Sequence, residues 1–142
     1  MQTTRVDTLD RSVQKTNEWL ESIRQQMGAV DRRDAYHALR AVLHALRDRL
    51  PLKEVVQLAA QLPLLVRGIY YEGWTAADAP YPARTRDEFL GSVYVHAGGT
   101  NLDTAVAVRA VLKVLAERVS PGEIEDVLGS LPPAIRDLWP RD

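Results

Sequence analysis

The sequence predicts an all-α protein, a helical bundle built from two tandem pseudo-symmetric repeats of about four helices each. The first observation is an internal repeat: residues 39–70 align without a gap with residues 108–139, at an offset of 69 residues. The second is that apolar residues recur at steps of three and four, the period of one face of an α-helix. A repeat of fixed period indicates one supersecondary unit used twice, each copy covering the apolar face of the other.

The aligned segments agree at ten positions, which set the expected organisation of the chain. These identical pairs are Arg40/Arg109, Ala41/Ala110, Val42/Val111, Leu43/Leu112, Leu46/Leu115, Arg49/Arg118, Glu54/Glu123, Leu62/Leu131, Pro63/Pro132 and Arg67/Arg136. We expect a single domain over residues 1–142, with repeat one at about 8–73, a linker at 74–84 and repeat two at about 85–140. Pro80 and Pro82 favour an extended path for the linker.

Four helices are expected in repeat one. The first ends at Gly28 and carries the inward stripe Leu9, Val13, Thr16, Leu20, Ile23 and Met27. The second is capped by Asp31 and points a second apolar set inward, Leu39, Val42, Leu43, Leu46 and Leu50. Pro51 opens a third helix, and a fourth runs from Leu64 to about Glu72, after the helix-breaking Leu62-Pro63.

Repeat two follows the same plan. Thr85 with Glu88 is a capping-box signature for helix five, and Ser120 with Pro121 and Glu123 opens helix seven. Pro132 opens a final short helix. Helix six repeats the inward set of helix two as Val108, Val111, Leu112, Leu115 and Val119, and adds apolar Val106, Val114 and Ala116. Because this helix is apolar nearly all round, we expect it to lie at the centre of the bundle or at an interface.

The composition excludes several classes of function. A net charge of −1 gives no electrostatic basis for binding nucleic acid. The chain has no cysteine, which excludes disulfides, cysteine-based zinc sites and thiol catalysis. No stretch approaches the roughly 18 apolar residues of a membrane helix, and the first residues lack the apolar core of a secretory signal. We therefore expect a cytoplasmic protein without a membrane partner.

One face of helix two is a candidate interaction surface. His37, Arg40, His44 and Arg47 step by three and four residues and so share that face. A basic stripe that gains charge as its histidines protonate near pH 6 would suit an anion or an acidic partner. The alternative is an ordinary solvated face of an amphipathic helix, which the second repeat favours because it replaces two of these residues with Val106 and Ala116.

Metal and phosphate sites receive weak support. His44 and Asp48 are spaced to bind one metal ion, with His96 on another helix as a third ligand, but two neighbouring ligands are a poor signal. The loop at residues 98–101 precedes a helix and offers backbone amides to a phosphate, although an ordinary connection explains it equally well. The common protease, esterase and nucleotide-binding motifs are missing from the sequence. We therefore expect no catalytic residues, no metal and no cofactor.

Two further groups of residues have alternative interpretations. Tyr70, Tyr71, Trp74 and Tyr81 form an aromatic cluster at the repeat junction, either a docking surface or a staple that holds the linker to the core. Arginine and glutamate survive at aligned positions of both repeats, which indicates either ion pairs between helices or two equivalent sites. We expect Glu54 to pair with Arg49 or Arg67, and Glu123 with Arg118 or Arg136.

Four segments resemble one bacterial protein family: TNEWLESIRQQMG, AYHALRAVLHALRDRLP, QLPLLVRGIYYEGW and VSPGEIEDVLGSLPPAIRDLWP. The family is catalogued as domain of unknown function 2267, and the likeness covers roughly residues 8 to 140. It implies an all-helical fold and a bacterial origin, and it supplies no catalytic residues to transfer.

The sequence is best interpreted as that of a non-enzymatic protein-interaction or regulatory module, which binds an unknown protein partner or itself. The alternative is a small-molecule binding or sensing domain whose pocket lies between the repeats, lined by Tyr70, Tyr71 and Trp74. A closed apolar cavity larger than about 300 Å³ would favour the small-molecule function. An exposed apolar patch would favour the interaction module.

Overall fold

The computed structural model describes residues 6–29, 31–75 and 83–140, and within these ranges its regular structure is entirely helical. The prediction of an all-α fold is confirmed. Eight helices follow one another in the described part of the chain: α1 (Asp7–Met27), α2 (Arg32–Arg49), α3 (Leu52–Ala60), α4 (Leu64–Tyr71), α5 (Arg86–His96), α6 (Thr104–Arg118), α7 (Pro121–Gly129) and α8 (Pro133–Arg136).

The helix boundaries follow the capping signals of the sequence. The side chain of Asp31 accepts hydrogen bonds from two backbone N–H groups in the first turn of α2. α5 begins with the expected capping box between Thr85 and Glu88. α1 ends at Gly28, whose φ of 68° is the left-handed conformation that glycine adopts most easily at a helix end. These contacts satisfy backbone groups that the helices themselves leave without partners.

α2 and α6 lie against each other at the centre of the bundle, and α1 and α5 each pack against both of them. α4 packs against α1, α2 and α3, whereas the shorter α8 packs against α5. α3 and α7 contact each other, and α7 also contacts α6. This arrangement brings elements from the first and second halves of the chain into one core.

The central helices bury the residues that the periodicity predicted. On α2 and its C-cap, and on α6 and its C-cap, ten predicted core residues are buried: Leu39, Val42, Leu43, Leu46, Leu50, Val108, Val111, Leu112, Leu115 and Val119. At about 25 cal/mol per Å² of apolar surface removed from water, such side chains supply most of the drive to fold.

The predicted core stripe of α1 is wrong for its first turns. Leu9 and Val13 are exposed, and Ser12, which the predicted stripe omitted, is buried; Thr16 is buried as predicted. The core face then continues through Trp19 and the predicted Ile23, and the predicted Leu20 and Met27 are partly buried against it. The physical reason is that the start of α1 meets the backbone of α4, so a hydroxyl that can bond a backbone N–H is favoured there over an apolar side chain.

Burial all round α6 is confirmed only in part. Val114 is buried, but Val106 and Ala116 are exposed. α2 is instead the more enclosed of the two, since every residue from 41 to 47 is buried. The difference follows from the neighbouring helices, because the eight-residue α4 packs against α2, whereas the four-residue α8 packs against α5.

Candidate functional site

Arg47 is the centre of a buried polar network between α2 and the C-terminal end of α4. Its Nη1 donates to the backbone oxygens of Tyr70 (3.0 Å) and Glu72 (2.8 Å). Its Nε donates to Asp48 Oδ1 at 2.9 Å. Carbonyls at a helix C-terminus lack partners within the helix and carry partial negative charge, so a guanidinium is well suited to bind them.

His44 extends this network one turn earlier along α2. Its Nε2 lies 2.7 Å from the backbone oxygen of Ile69, and because a carbonyl only accepts, this nitrogen must carry the proton. Burial, reinforced by the nearby charges of Arg47 and Arg40, lowers the pKa of His44 from 6.5 to about 4, although the bond to Ile69 acts in the opposite direction. The ring is therefore neutral at pH 7.

Asp48 and His96 join α2 to α5 at the edge of the network. His96 Nε2 lies 2.8 Å from Asp48 Oδ2, and the rings of His44 and His96 meet edge to face with centroids 5.5 Å apart. Burial opposes ionisation of Asp48, but the hydrogen bonds from His96 and Arg47 outweigh it and lower the pKa of its carboxyl. An open groove of about 440 Å³ lies beside this pair.

The three candidate metal ligands of the sequence, His44, Asp48 and His96, are thus close together in space. Their polar atoms bond to one another, to Arg47 and to the carbonyl of Ile69. Within the described ranges, no group of three histidine or acidic side chains has an arrangement that could hold a metal ion.

The predicted surface stripe of α2 is not a solvated face. His44 and Arg47 are buried, and only His37 and Arg40 are partly accessible. Arg40 Nε donates to Glu72 Oε1 at 2.9 Å, so it too contacts the end of α4. The stripe and the aromatic segment, which the sequence presents as two separate candidates, are therefore the two sides of one contact.

The aromatic cluster divides between core and surface. Tyr70 is fully buried and its hydroxyl donates to the backbone oxygen of Val55 at 3.0 Å, so its ring is unavailable to a partner. Burial, and to a lesser degree the neighbouring Tyr71, raises the pKa of the Tyr70 hydroxyl. Tyr71 and Trp74 are half-buried, with ring centroids 5.5 Å apart. The fourth member, Tyr81, lies outside the described residues.

The phosphate hypothesis for residues 98–101 loses its basis in the structure. Asp103 caps α6 and accepts the backbone N–H of Val106 at 3.2 Å. Within the loop, the backbone N–H groups of Gly98 and Thr100 already donate to backbone carbonyls, and the carboxylate of Asp103 repels an anion at this helix end.

Four of the arginines that recur in both aligned segments, at positions 49, 67, 118 and 136, donate to backbone or side-chain oxygens. Arg67 donates to the carbonyls of Ala59 and Leu62, and Arg136 donates to those of Leu128 and Leu131. Each residue of the second set stands 69 positions after its counterpart in the first. Arg49 donates to the backbone oxygen of Ala83, and Arg118 donates to the Ser22 hydroxyl.

The predicted ion pairs of Glu54 and Glu123 are wrong. Both side chains are buried, at 7 and 9% exposure, and neither forms an ion pair with any described residue. Their carboxyl groups instead face each other where α3 packs against α7. Burial, and then the hydrogen bond with Glu54, raises the pKa of Glu123 from 4.5 to about 8.

An exposed apolar surface, not predicted from the sequence, lies where the first turns of α1 and α4 meet. The backbone N–H of Leu65 donates to Ser12 Oγ at 3.1 Å, which fixes this junction. Around it the side chains of Leu9, Val13, Leu64 and Leu65 are between 42 and 51% exposed. We call these four residues the α1–α4 apolar face. The aligned segments could have indicated this face. Leu64 and Leu65 align with Pro133 and Ala134, so the large apolar side chains at these two positions occur in the first segment only.

The comparisons with known proteins bear on family and not on activity. No helix in the described ranges is long and apolar enough to cross a membrane. No curated protein matches the chain. Residues 16–138 match the family model described as "Uncharacterized conserved protein (DUF2267)". Because this match covers most of the chain and agrees with the resemblance found in the sequence, the chain belongs to the DUF2267 family.

Proposed function

We propose that this chain is a non-enzymatic protein-interaction module whose contact surface is the α1–α4 apolar face. The observation that carries the proposal is the exposure of four large apolar side chains around one hydrogen-bonded junction. Apolar side chains scattered singly over a surface need no explanation, whereas a contiguous group is typical of a site that another polypeptide covers.

The neighbouring helix supports this assignment. α3 packs against α4 and exposes Leu52 and Val56, which are one helical turn apart, at 55 and 50%. Two more apolar side chains are thus exposed on the helix next to the face. An apolar helix of a partner, laid across α1 and α4, would bury side chains at the three- and four-residue spacing that helix recognition uses.

We also infer that the chain is two copies of one unit of four helices. The support is the gapless alignment at an offset of 69 residues, together with the equivalent carbonyl contacts of Arg67 and Arg136. On this basis, the first copy exposes Leu52, Val56, Leu64 and Leu65 where the second has Pro121, Glu125, Pro133 and Ala134. The contact surface therefore belongs to the first copy, whereas core positions are shared.

The buried polar network supports a structural role for the residues that most resemble a catalytic group. The guanidinium of Arg47 and the Nε2 of His44 bind carbonyls near the end of α4. Their hydrogen-bonding capacity is used to attach one helix to another. On the proposed function they hold α4 in the position from which its first turn presents the apolar face.

Site-specific photo-crosslinking tests the proposal. We would introduce a benzophenone amino acid at Leu65 and, as a matched control, at Tyr94 of α5, which is also exposed, at 66%. Both positions tolerate a large side chain because neither is buried. We expect crosslinked products in host cells from position 65 and none from position 94.

Repeating the crosslinking with purified protein identifies the partner class. A product from position 65 in the purified sample means that a second copy occupies the face, whereas a product found only in cells means a different protein. Equal crosslinking from both positions, or none from position 65, would contradict the assignment of this surface.

A further inference from the structure

The contact between α3 and α7 has two buried glutamates at its centre. Glu54 and Glu123 occupy aligned positions, 69 residues apart, and each is more than nine-tenths buried. One carboxyl oxygen of each, Glu54 Oε1 and Glu123 Oε2, has no hydrogen-bond partner among the described residues. Buried polar atoms in native proteins are rarely left in this condition.

A single proton resolves this arrangement. Two ionised carboxylates offer only acceptors, so they repel each other and cannot hydrogen-bond. When one of them is protonated, its O–H donates to the other, and both of the groups gain a partner. The pair then carries one negative charge instead of two, which reduces the cost of burial.

The surrounding groups do not supply a positive charge by direct contact. On α3, Lys53 is exposed and makes no ion pair with either glutamate among the described residues. On α7, Glu125 and Asp126 add negative charge, and the latter also disfavours ionisation of Glu123. From α4, the Tyr70 hydroxyl is bound to the carbonyl of Val55.

The pair also has access to solvent protons. A groove of about 440 Å³ opens beside it, and Glu54 is one of the residues that line this groove. The groove therefore offers a route by which a proton on the pair can exchange with solvent while α3 and α7 remain folded.

We propose that Glu54 and Glu123 share one proton that holds α3 against α7, so that the contact between these helices loosens when the proton is lost. The residues behind the glutamates, Val55 and Leu58 on α3 and Val127 on α7, are buried and become accessible as the contact loosens. The chain thereby gains a response to alkaline pH that is separate from the α1–α4 apolar face.

The direction of the pH effect follows from the change in proton affinity on folding. The pKa of Glu123 is about 8 in the folded chain against 4.5 for an ordinary glutamate, with burial as the first cause and the bond and charge of Glu54 next. Between these values the folded state binds a proton that the unfolded state has released, so stability falls as pH rises. The stabilisation that this proton gives to the folded chain is complete below pH 4.5 and is lost as pH rises through about 8.

A ¹³C NMR titration of the glutamate side-chain carboxyls in the unmodified full chain tests the proposal. We expect the Glu123 carboxyl to titrate with a midpoint near pH 8, and amide hydrogen exchange of α3 and α7 to accelerate over the same range. A Glu123 midpoint near 4.5, or exchange that does not follow the titration, would overturn the proposal.

Substitution supplies an independent readout. Glu123→Gln replaces the protonated carboxyl with an amide that donates permanently to Glu54. As pH rises from 4.5 to about 8, we expect the melting temperature of the parent to fall and that of the variant to stay constant. Glu117→Gln, at an exposed carboxylate on α6, is the control and should keep the pH dependence of the parent. Repeating the NMR titration with added Ca²⁺ separates proton from metal: if Ca²⁺ abolishes the titration near pH 8, the pair holds a cation and the proton-sharing proposal fails.

Discussion

Arg47 shows how a single residue can be misread when only its own helix is considered. Helical spacing correctly placed it on one face with His37, Arg40 and His44, and a polar face is normally solvated. Its actual partners are the carbonyls of Tyr70 and Glu72, which are 23 and 25 residues further along the chain. Periodicity identifies which side chains share a face, but it carries no information about the element that covers that face.

Replacing Arg47 should destabilise the fold strongly. Arg47→Met keeps the length of the aliphatic chain but leaves two carbonyls and the Asp48 carboxylate without their donor. We expect a loss of about 3 kcal/mol in the free energy of unfolding, as when one partner of a buried charged contact is removed. Urea denaturation measures it. Arg109→Met, at an exposed position of α6, is the control and should change stability by less than about 0.5 kcal/mol.

His44 should make the protein less stable in mild acid. Its pKa is about 4 when folded and 6.5 otherwise, so between these values the unfolded state binds a proton that the folded state excludes. Stability from this group is complete above pH 6.5 and is lost as pH falls through about 4. The change in charge therefore occurs on unfolding and not on a solvated surface, contrary to the sequence-based expectation.

The test of this pH dependence is the variant His44→Gln, whose amide still donates to Ile69 but does not titrate. The difference in unfolding free energy between parent and variant should grow steadily as pH rises from about 4 to 6.5. Because parent and variant both contain Glu123, its opposing contribution to the pH dependence of stability cancels in this difference. His37→Gln, on the same helix, is the control. A constant difference for His44→Gln across this range would contradict the predicted titration.

At the scale of elements, the sequence predicted helix boundaries better than helix orientation. Asp31, Thr85 and Gly28 mark helix ends through contacts within a few residues, so their effect can be predicted locally. The orientation of α1 depends on what it meets. Leu9 and Val13 have helical spacing to the buried Thr16, but the core face begins at Ser12, whose hydroxyl accepts the backbone N–H of Leu65. The exposed apolar face was missed for the same reason.

The central position of α6 makes a direct prediction about packing. Leu112→Ala removes a fully buried side chain and should lower the free energy of unfolding by about 2–5 kcal/mol, the usual cost of a large-to-small change in a core. Urea melts of this variant and of Glu117→Ala, an exposed position on the same helix, would be compared. A difference below about 1 kcal/mol between the two would be incompatible with a buried Leu112 in a tightly packed core.

At the scale of the whole molecule, the retained charges show what an internal repeat does and does not predict. Glu54 and Glu123 occupy aligned positions, and both side chains are buried. The expectation of ion pairs within each repeat failed because the two carboxyl groups face each other where α3 packs against α7. By contrast, Arg67 and Arg136 each donate to backbone carbonyls of their own aligned segment. Sequence alone does not distinguish these two cases.

The proposed two-copy organisation predicts different coupling for the two kinds of retained residue. Arg67→Met and Arg136→Met each remove two bonds to carbonyls within one copy, so each should cost about 1–3 kcal/mol. Because the two arginines share no partner, the double variant should show the sum of the single effects, to within about 0.5 kcal/mol.

The effects of substituting the two glutamates on the free energy of unfolding should not be additive. Above pH 8, where the proposed shared proton is lost, either Glu54→Gln or Glu123→Gln removes the repulsion between the two side chains, so the double variant gains little more stability than one substitution. We expect a coupling energy above about 1 kcal/mol in this range, measured by a double-mutant cycle of urea melts. At lower pH the parent already shares a proton, and the coupling should shrink. The opposite result would be additive effects of the two glutamate substitutions and non-additive effects of the two arginine substitutions on the free energy of unfolding. It would place the contact between the proposed copies at α4 and α8 instead of at α3 and α7.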